Sequence, residues 1–190
     1  MPRTREQNQD IKDQRRQQIV DAALPLFALY NDKVSVDQIC QQAKCSHGLF
    51  YHYFRDTDNL LNQIKRDEKF SLIQKDLTTV NTDDNISEIL YHIINRFNGY
   101  LAKAKDNDCA LLVLIINNQE KISFRSTLLN IVKLGQEQHV FAPGKPEDIV
   151  DIYLDQNIGV LLKKLLQKSY KIKIIPADNL VQIFYKKALV

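Results

Sequence analysis

The twenty residues SVDQICQQAKCSHGLFYHYF, positions 35–54, decide how the rest of the chain is read. They hold two short helical patterns joined by a tight turn. Ser35 is suited to cap the first, and Gln38 three places on completes a capping box. Val36, Ile39, Cys40 and Ala43 then supply an inward face, ending at Ala43 or Lys44. Ser46 caps the second pattern, where Phe50 and Phe54 lie four apart on one face with Tyr53 at their edge. His47, Gly48, Leu49, Tyr51 and His52 are left to face outward. No Asp or Glu occurs from Gln38 to Arg55.

A helix that offers donors and apolar groups without carboxylates suits the major groove of DNA, which is about 12 Å wide. His47 and Tyr51 can donate to base edges or phosphates. Leu49 can touch a thymine methyl, and Gly48 lets the backbone come close. The stretch therefore reads as a DNA-binding helix-turn-helix.

Upstream, Ile11, Ile19, Ala22, Ala23, Leu26 and Phe27 predict a helix over about 9–30. Pro25 lies inside it, where a missing donor and a crowded carbonyl predict a kink. Asn31 and Asp32 end it. Residues 1–10 read as a flexible basic arm, and its charge runs on through Arg3, Arg5, Lys12, Arg15 and Arg16. Such an arm suits phosphate contacts, although Arg3 and Arg5 equally suit a plain solvated tail. Downstream, Asp56 or Thr57 caps a long helix over 58–79 that links the DNA-binding module, 11–56, to the remainder, 80–190.

Here the sequence resembles the TetR family of bacterial one-component regulators, over about Arg15 to Leu61. The likeness rests on IVDAALPLF at 19–27, SVDQI at 35–39, SHGLFYHYF at 46–54 and the leucine pair at 60–61. It implies an all-α protein, with a three-helix helix-turn-helix domain followed by a helical effector and dimerisation domain. Carried over by position, it places His47, Gly48, Leu49, Tyr51, His52 and Tyr53 at the groove, with the helix cap Ser46 also among the DNA-contact residues. It places Ser35, Lys44 and Thr57 near the DNA backbone. Several positions depart from the family pattern. Asn31 and Lys44 stand where glycine is frequent, and a left-handed Lys44 is less easily adopted than a left-handed glycine. Thr57 stands where a phosphate-contacting lysine is frequent and brings no charge.

The remaining chain reads as further helices. Ile86, Ile89, Leu90, Ile93, Ile94, Phe97 and Leu101 make a helical stripe. Ala110 to Ile116 is apolar all round, which predicts a central buried helix. A helix follows over about 123–138, then a loop at 142–146, a helix over about 147–169 and a last one over about 177–189. The alternating segment 171–175 between the last two reads as an extended connector. Ile152, Ile158, Leu161, Leu162, Leu165 and Leu166 offer more apolar surface than one domain face needs. They are the expected interface of a homodimer, which would space two reading helices for a palindromic site. Tyr91, Phe97, Tyr100, Phe124 and Tyr153 are candidates for an effector pocket or plain core, and Asn117, Asn118 and Gln119 for a ligand-orienting edge or a polar helix end.

Composition excludes other classes. Residues 1–66 carry 10 Lys+Arg against 8 Asp+Glu, residues 67–162 carry 9 against 14, and residues 163–190 carry 7 against 1, so positive charge gathers at the two ends. No apolar run approaches the roughly 18 residues of a membrane helix, and the start lacks a signal peptide, so a cytoplasmic protein is expected. Three cysteines are too few for a disulfide framework. The spacing of Cys40, Cys45, His47 and His52 matches no common zinc pattern, and neither metal nor cofactor is called for. Catalytic motifs are lacking, so an enzyme is the remote alternative. The nearer one is a regulator of the same family without a small-molecule effector, its C-terminal domain binding a protein partner or assembling on DNA. The reading is an effector-responsive repressor that binds a palindromic operator as a dimer.

Overall fold

The computed structural model describes residues 4–81 and 83–185. Among these residues no strand forms, and an isolated bridge pairs Phe141 with Tyr185. No described helix is long and apolar enough to cross a membrane. The chain divides into two compact units, residues 1–68 and 69–190.

Unit 1 is built from α1 (Arg5–Tyr30), a 3-10 turn (Asn31–Lys33), α2 (Val36–Ala43), α3 (His47–Tyr53) and α4 (Thr57–Lys65). α1 begins four residues earlier than the apolar pattern predicts. Thr4 and Gln7 form a capping box around its first turn, so residues 5–10 are helix rather than a flexible arm. Arg3 lies outside the described residues. Pro25 stands inside α1 without ending it. Ile19, Ala23 and Phe27 bury one face of α1, which packs on α2 and α4. Asn31 ends the helix with φ 56° and ψ −125°, its amide donating to the Phe27 carbonyl.

The long helix expected over 58–79 is two helices, α4 and α5 (Glu68–Thr78). The Arg66 and Asp67 amides donate to the Asn62 and Ile64 carbonyls, closing α4 there. Ile64 and Phe70, both buried, are six residues apart, and six residues turn a straight helix through about 600°, which puts them on different faces. Breaking the helix lets each point into a core. Asp56, not Thr57, is the cap of α4; its Oδ1 accepts from the Asn59 amide at 2.7 Å.

Unit 2 contains α5, α6 (Ile86–Lys103), α7 (Asp106–Ile116), α8 (Phe124–Glu137), α9 (Pro146–Leu166) and α10 (Ala177–Val181). Every residue from Cys109 to Ile116 is buried, as the all-apolar pattern predicts. α7 is the centre of its unit, against α8 and α9. α6 packs on α8 and α10. Residues 170–176 have no regular structure, and the Asn98 amide nitrogen donates to the Ile175 carbonyl at 2.9 Å, pinning that connector to α6. The last helix is shorter than expected, ending at Val181, and residues 186–189 of the expectation lie outside the described residues.

Candidate nucleic-acid interface

The helix-turn-helix forms from local instructions. Ser35 Oγ accepts from the Gln38 amide at 3.2 Å while the Ser35 amide donates to Gln38 Oε1 at 2.9 Å, which is the reciprocal capping box. α2 buries Ile39, Cys40 and Ala43. Its last turn is fixed from outside, because Gln18 of α1 donates from Nε2 to the Ala43 carbonyl at 2.9 Å. Lys44 then turns the chain in the left-handed region, with φ 51° and ψ 47°. That is the conformation glycine would take more easily, at a cost of about 1–2 kcal/mol for a side-chain residue. Ser46 Oγ accepts from the Leu49 amide at 3.2 Å and starts α3.

α3 is anchored by one aromatic face. Phe50 and Phe54 are buried with ring centroids 5.7 Å apart. Arg16 of α1 sits 5.6 Å from the Phe54 ring centroid and donates to Gln63 Oε1 at 2.7 Å. Arg16 is therefore a half-buried brace between α1 and α4 rather than a free phosphate ligand. The opposite face of α3 is open: His47, Gly48, Tyr51 and His52 are exposed, with Leu49 and Tyr53 half-buried at its margins. The Tyr51 ring stands edge-on to Phe50 at 5.4 Å, and His52 edge-on to Tyr53 at 4.8 Å. Their positions are thus held by the anchor while their polar atoms face solvent. A Cβ added at Gly48 would meet only Ser46 Oγ, at 3.9 Å. The fold does not require glycine there.

Ser35, Lys44 and Ser46 are exposed at the turn and helix starts, and Thr57 is half-buried as the first residue of α4. Sequence reasoning missed two partners. Asp37 lies one position outside the acid-free stretch, yet its Oδ1 is 2.8 Å from His47 Nε2. Pairing across the turn brings them together. Arg55, between α3 and α4, has a side chain 88% exposed and Nε 2.9 Å from Asp56 Oδ2. Its arginine at the exit of an acid-free helix was the available signal. The Asp56 carboxyl is lowered below its ordinary range, first by the Asn59 amide and then by Arg55.

The six residues expected at a dimer face divide. Ile152 and Leu166 are 60% and 68% exposed, while Ile158, Leu162 and Leu165 are half-buried. Leu161 is fully buried on the inward stripe with Val150, Leu154 and Asn157, so it belongs to the core of its own unit. Of the aromatic residues proposed for a pocket, Phe97, Phe124 and Tyr153 are fully buried, and Phe97 stacks on Phe124 at 5.0 Å. Asn118 is a structural tie: it donates to Gln74 Oε1 of α5 at 2.6 Å. With Gln119 it also edges an open polar cleft of about 600 Å³ that includes Arg125, Asp151 and Asp155.

A three-helix unit whose second short helix is anchored by aromatics and open on an acid-free face defines a helix-turn-helix DNA-binding regulator. Residues 19–64 match the family model described as bacterial regulatory proteins, tetR family. That match covers the helix-turn-helix unit and marks residues 19–64 as similar to the DNA-binding domain of TetR-family regulators. No curated protein sequence matches it. Solved structures extend the likeness of fold. A HlyIIR mutant with a run of alanine substitutions is 18% identical, with a TM-score of 0.65 over 98% of this chain and 100% of that one. The regulator HI0893 from Haemophilus influenzae is 17% identical, with a TM-score of 0.53 over 93% of this chain and 99% of that one. A SmeT–triclosan complex is 12% identical, with a TM-score of 0.51 over 93% of this chain and 94% of that one. At these identities the likeness is one of fold alone.

Proposed function

We propose that the protein is a cytoplasmic repressor that binds a palindromic operator as a homodimer and releases it when an effector occupies unit 2. The observation that carries the DNA reading is α3 itself, buried at Phe50 while His47, Gly48, Tyr51 and His52 stay exposed. In this reading Leu49 and Tyr53 flank the base contacts. Ser35, Lys44, Ser46 and Thr57 meet phosphates, and Arg55 supplies the charge that Thr57 lacks. Asp37 holds one nitrogen of His47 and leaves the other for the groove.

The dimer is proposed through the outer face of α9. Ile152, Gly159 and Leu166 recur every seven residues along it, with Leu162 beside them and Ile158 and Leu165 at its border. Nothing lies within 4 Å of a Cβ added at Gly159, so a partner helix can approach closely there. A dimer would set two α3 helices about 34 Å apart, one turn of DNA.

Support for an effector comes from a buried oxygen without a partner, Asn98 Oδ1 on α6, and from the fully buried Tyr153 hydroxyl on α9, which has Asn157 beside it. An unmet buried polar group costs about 1–3 kcal/mol, which a ligand's donor would offset. The triclosan complex of a similar fold is consistent with a small aromatic phenol. The reading without an effector draws on the stacked Phe97 and Phe124, which fill interior space. A gel shift on a palindrome from the region upstream of the protein's own gene tests the DNA reading. The same shift with candidate phenols tests release, and a failure of both Tyr153→Phe and wild type to respond would favour the effector-free reading.

A further inference from the structure

The turn of the helix-turn-helix holds two thiols that DNA reading does not use. The Cys45 amide donates to the Cys40 carbonyl at 3.0 Å, and the Lys44 amide to the Gln41 carbonyl at 3.3 Å. With Lys44 left-handed, these two bonds form a Schellman turn, which brings the fourth-last residue of the helix against the second residue beyond it. An apolar contact ordinarily fills that pair of positions. Here they are Cys40 and Cys45, so the turn sets the two side chains next to each other. Cys40 is buried on the inner face of α2, and Cys45 is half-buried at the surface.

We propose that Cys40 and Cys45 form a reversible disulfide when the protein meets a hydroperoxide, and that this bond lowers its affinity for DNA. The consequence for DNA rests on the reading of α3 given above; the thiol chemistry does not. Cys45 is the accessible thiol and reacts first. Its sulfur attacks one peroxide oxygen, the O–O bond breaks, and a sulfenic acid results while the other oxygen takes the thiol proton and leaves as water, or as an alcohol when the hydroperoxide is organic. The Cys40 sulfur then attacks the Cys45 sulfur. The S–O bond breaks, hydroxide leaves with the Cys40 proton as water, and the disulfide remains. Burial, the contact with Cys45 and the charge of Asp37 push the Cys40 thiol up to about 11, so Cys45 rather than Cys40 is the thiol that meets the peroxide. Transient bonds of this kind are the form disulfides take in reducing compartments.

The bond would act on α3 through geometry. A disulfide sets the sulfurs about 2 Å apart, closer than any thiol contact. The Gln18 bond to the Ala43 carbonyl holds the end of α2 against α1, so the adjustment falls on the far side of the turn. His47, the first residue of α3, is two positions past Cys45.

The test treats the full-length protein with hydrogen peroxide and reads intact mass, peptide maps and operator affinity. The expected result is a loss of two hydrogens, a Cys40–Cys45 cross-linked peptide, and a fall in affinity of about tenfold or more. Dithiothreitol should restore both mass and affinity. Cys109→Ser should behave as wild type, because Cys109 is buried in α7. In Cys40→Ser, Cys45 should stop at a sulfenic acid that dimedone traps. A chain-to-chain disulfide, or a Cys45 sulfinic acid in wild type with no cross-link, overturns the proposal. An internal disulfide that leaves affinity unchanged overturns its effect on DNA. If reduced protein binds no DNA, the reading of α3 fails, while the mass data still decide the thiol chemistry.

Discussion

α3 and α7 are both runs of uncharged residues past their first turn, yet they have opposite fates. From Cys109 to Ile116 α7 buries every side chain, and its composition is explained by packing alone. α3 buries only Phe50, while most of its remaining polar groups face solvent without a carboxylate among them. His47, Tyr51 and His52 bury nothing in the core of unit 1, although His47 pairs with Asp37 and Tyr51 leans on Phe50. Side chains that the fold does not need, held in place by neighbours that it does, mark the part of the molecule directed at something outside it.

Substitutions can break or sharpen this contrast. The largest effect is expected from Phe50→Ala, which removes the anchor of α3 and should cost about 3–5 kcal/mol in a denaturant melt of unit 1. A loss below about 1 kcal/mol would mean that α3 is not anchored as described. Next is Gly135→Ala in α8. A Cβ there would stand 2.0 Å from the Phe141 ring, and Phe141 is itself buried. Overpacking of this kind costs about 1–3 kcal/mol. In unit 2, Tyr153→Phe removes a fully buried hydroxyl beside Asn157 and should be neutral or stabilising by about 1 kcal/mol, while blunting any effector response. A clear loss of stability would show that the hydroxyl has a partner. The smallest effect on stability is expected from Gly48→Ala, a gain of about 0.5–1 kcal/mol from helix propensity alone. DNA affinity should fall in the same variant, because the methyl occupies space reserved for the groove. Gly48 and Gly135 thus separate a glycine kept for a partner from one kept for the fold.

The legible parts of the sequence were those set by local chemistry. Ser35 with Gln38, Ser46 with its helix, and the pair Phe50 and Phe54 act within four residues of one another, and the family resemblance runs through the same positions. The apolar run in α7 was equally plain. Other features were written in the sequence but outweighed. The Thr4–Gln7 capping box was present, and counting charge in the same segment hid it. The spacing of six between Ile64 and Phe70 carried the break between α4 and α5, although no Gly or Pro marks it. Leu161 falls in register with Val150, Leu154 and Asn157, but a helix rich in apolar residues on several faces obscures which stripe turns inward. The pairing of Asp37 with His47, the bracing of Phe54 by Arg16 and the orphan oxygen of Asn98 depend on side chains from separate turns or helices. No pattern within one element could supply them.

The central claim is that the open face of α3 reads DNA. The most direct measurement is a fluorescence-anisotropy titration of the operator palindrome with wild type, His47→Ala and Tyr51→Ala, alongside a thermal melt of each. Loss of a base contact is worth about 1–3 kcal/mol, so each variant should bind about 5- to 150-fold more weakly with its melting unchanged. Wild-type affinity in both variants would contradict the assignment of α3 as the reading helix.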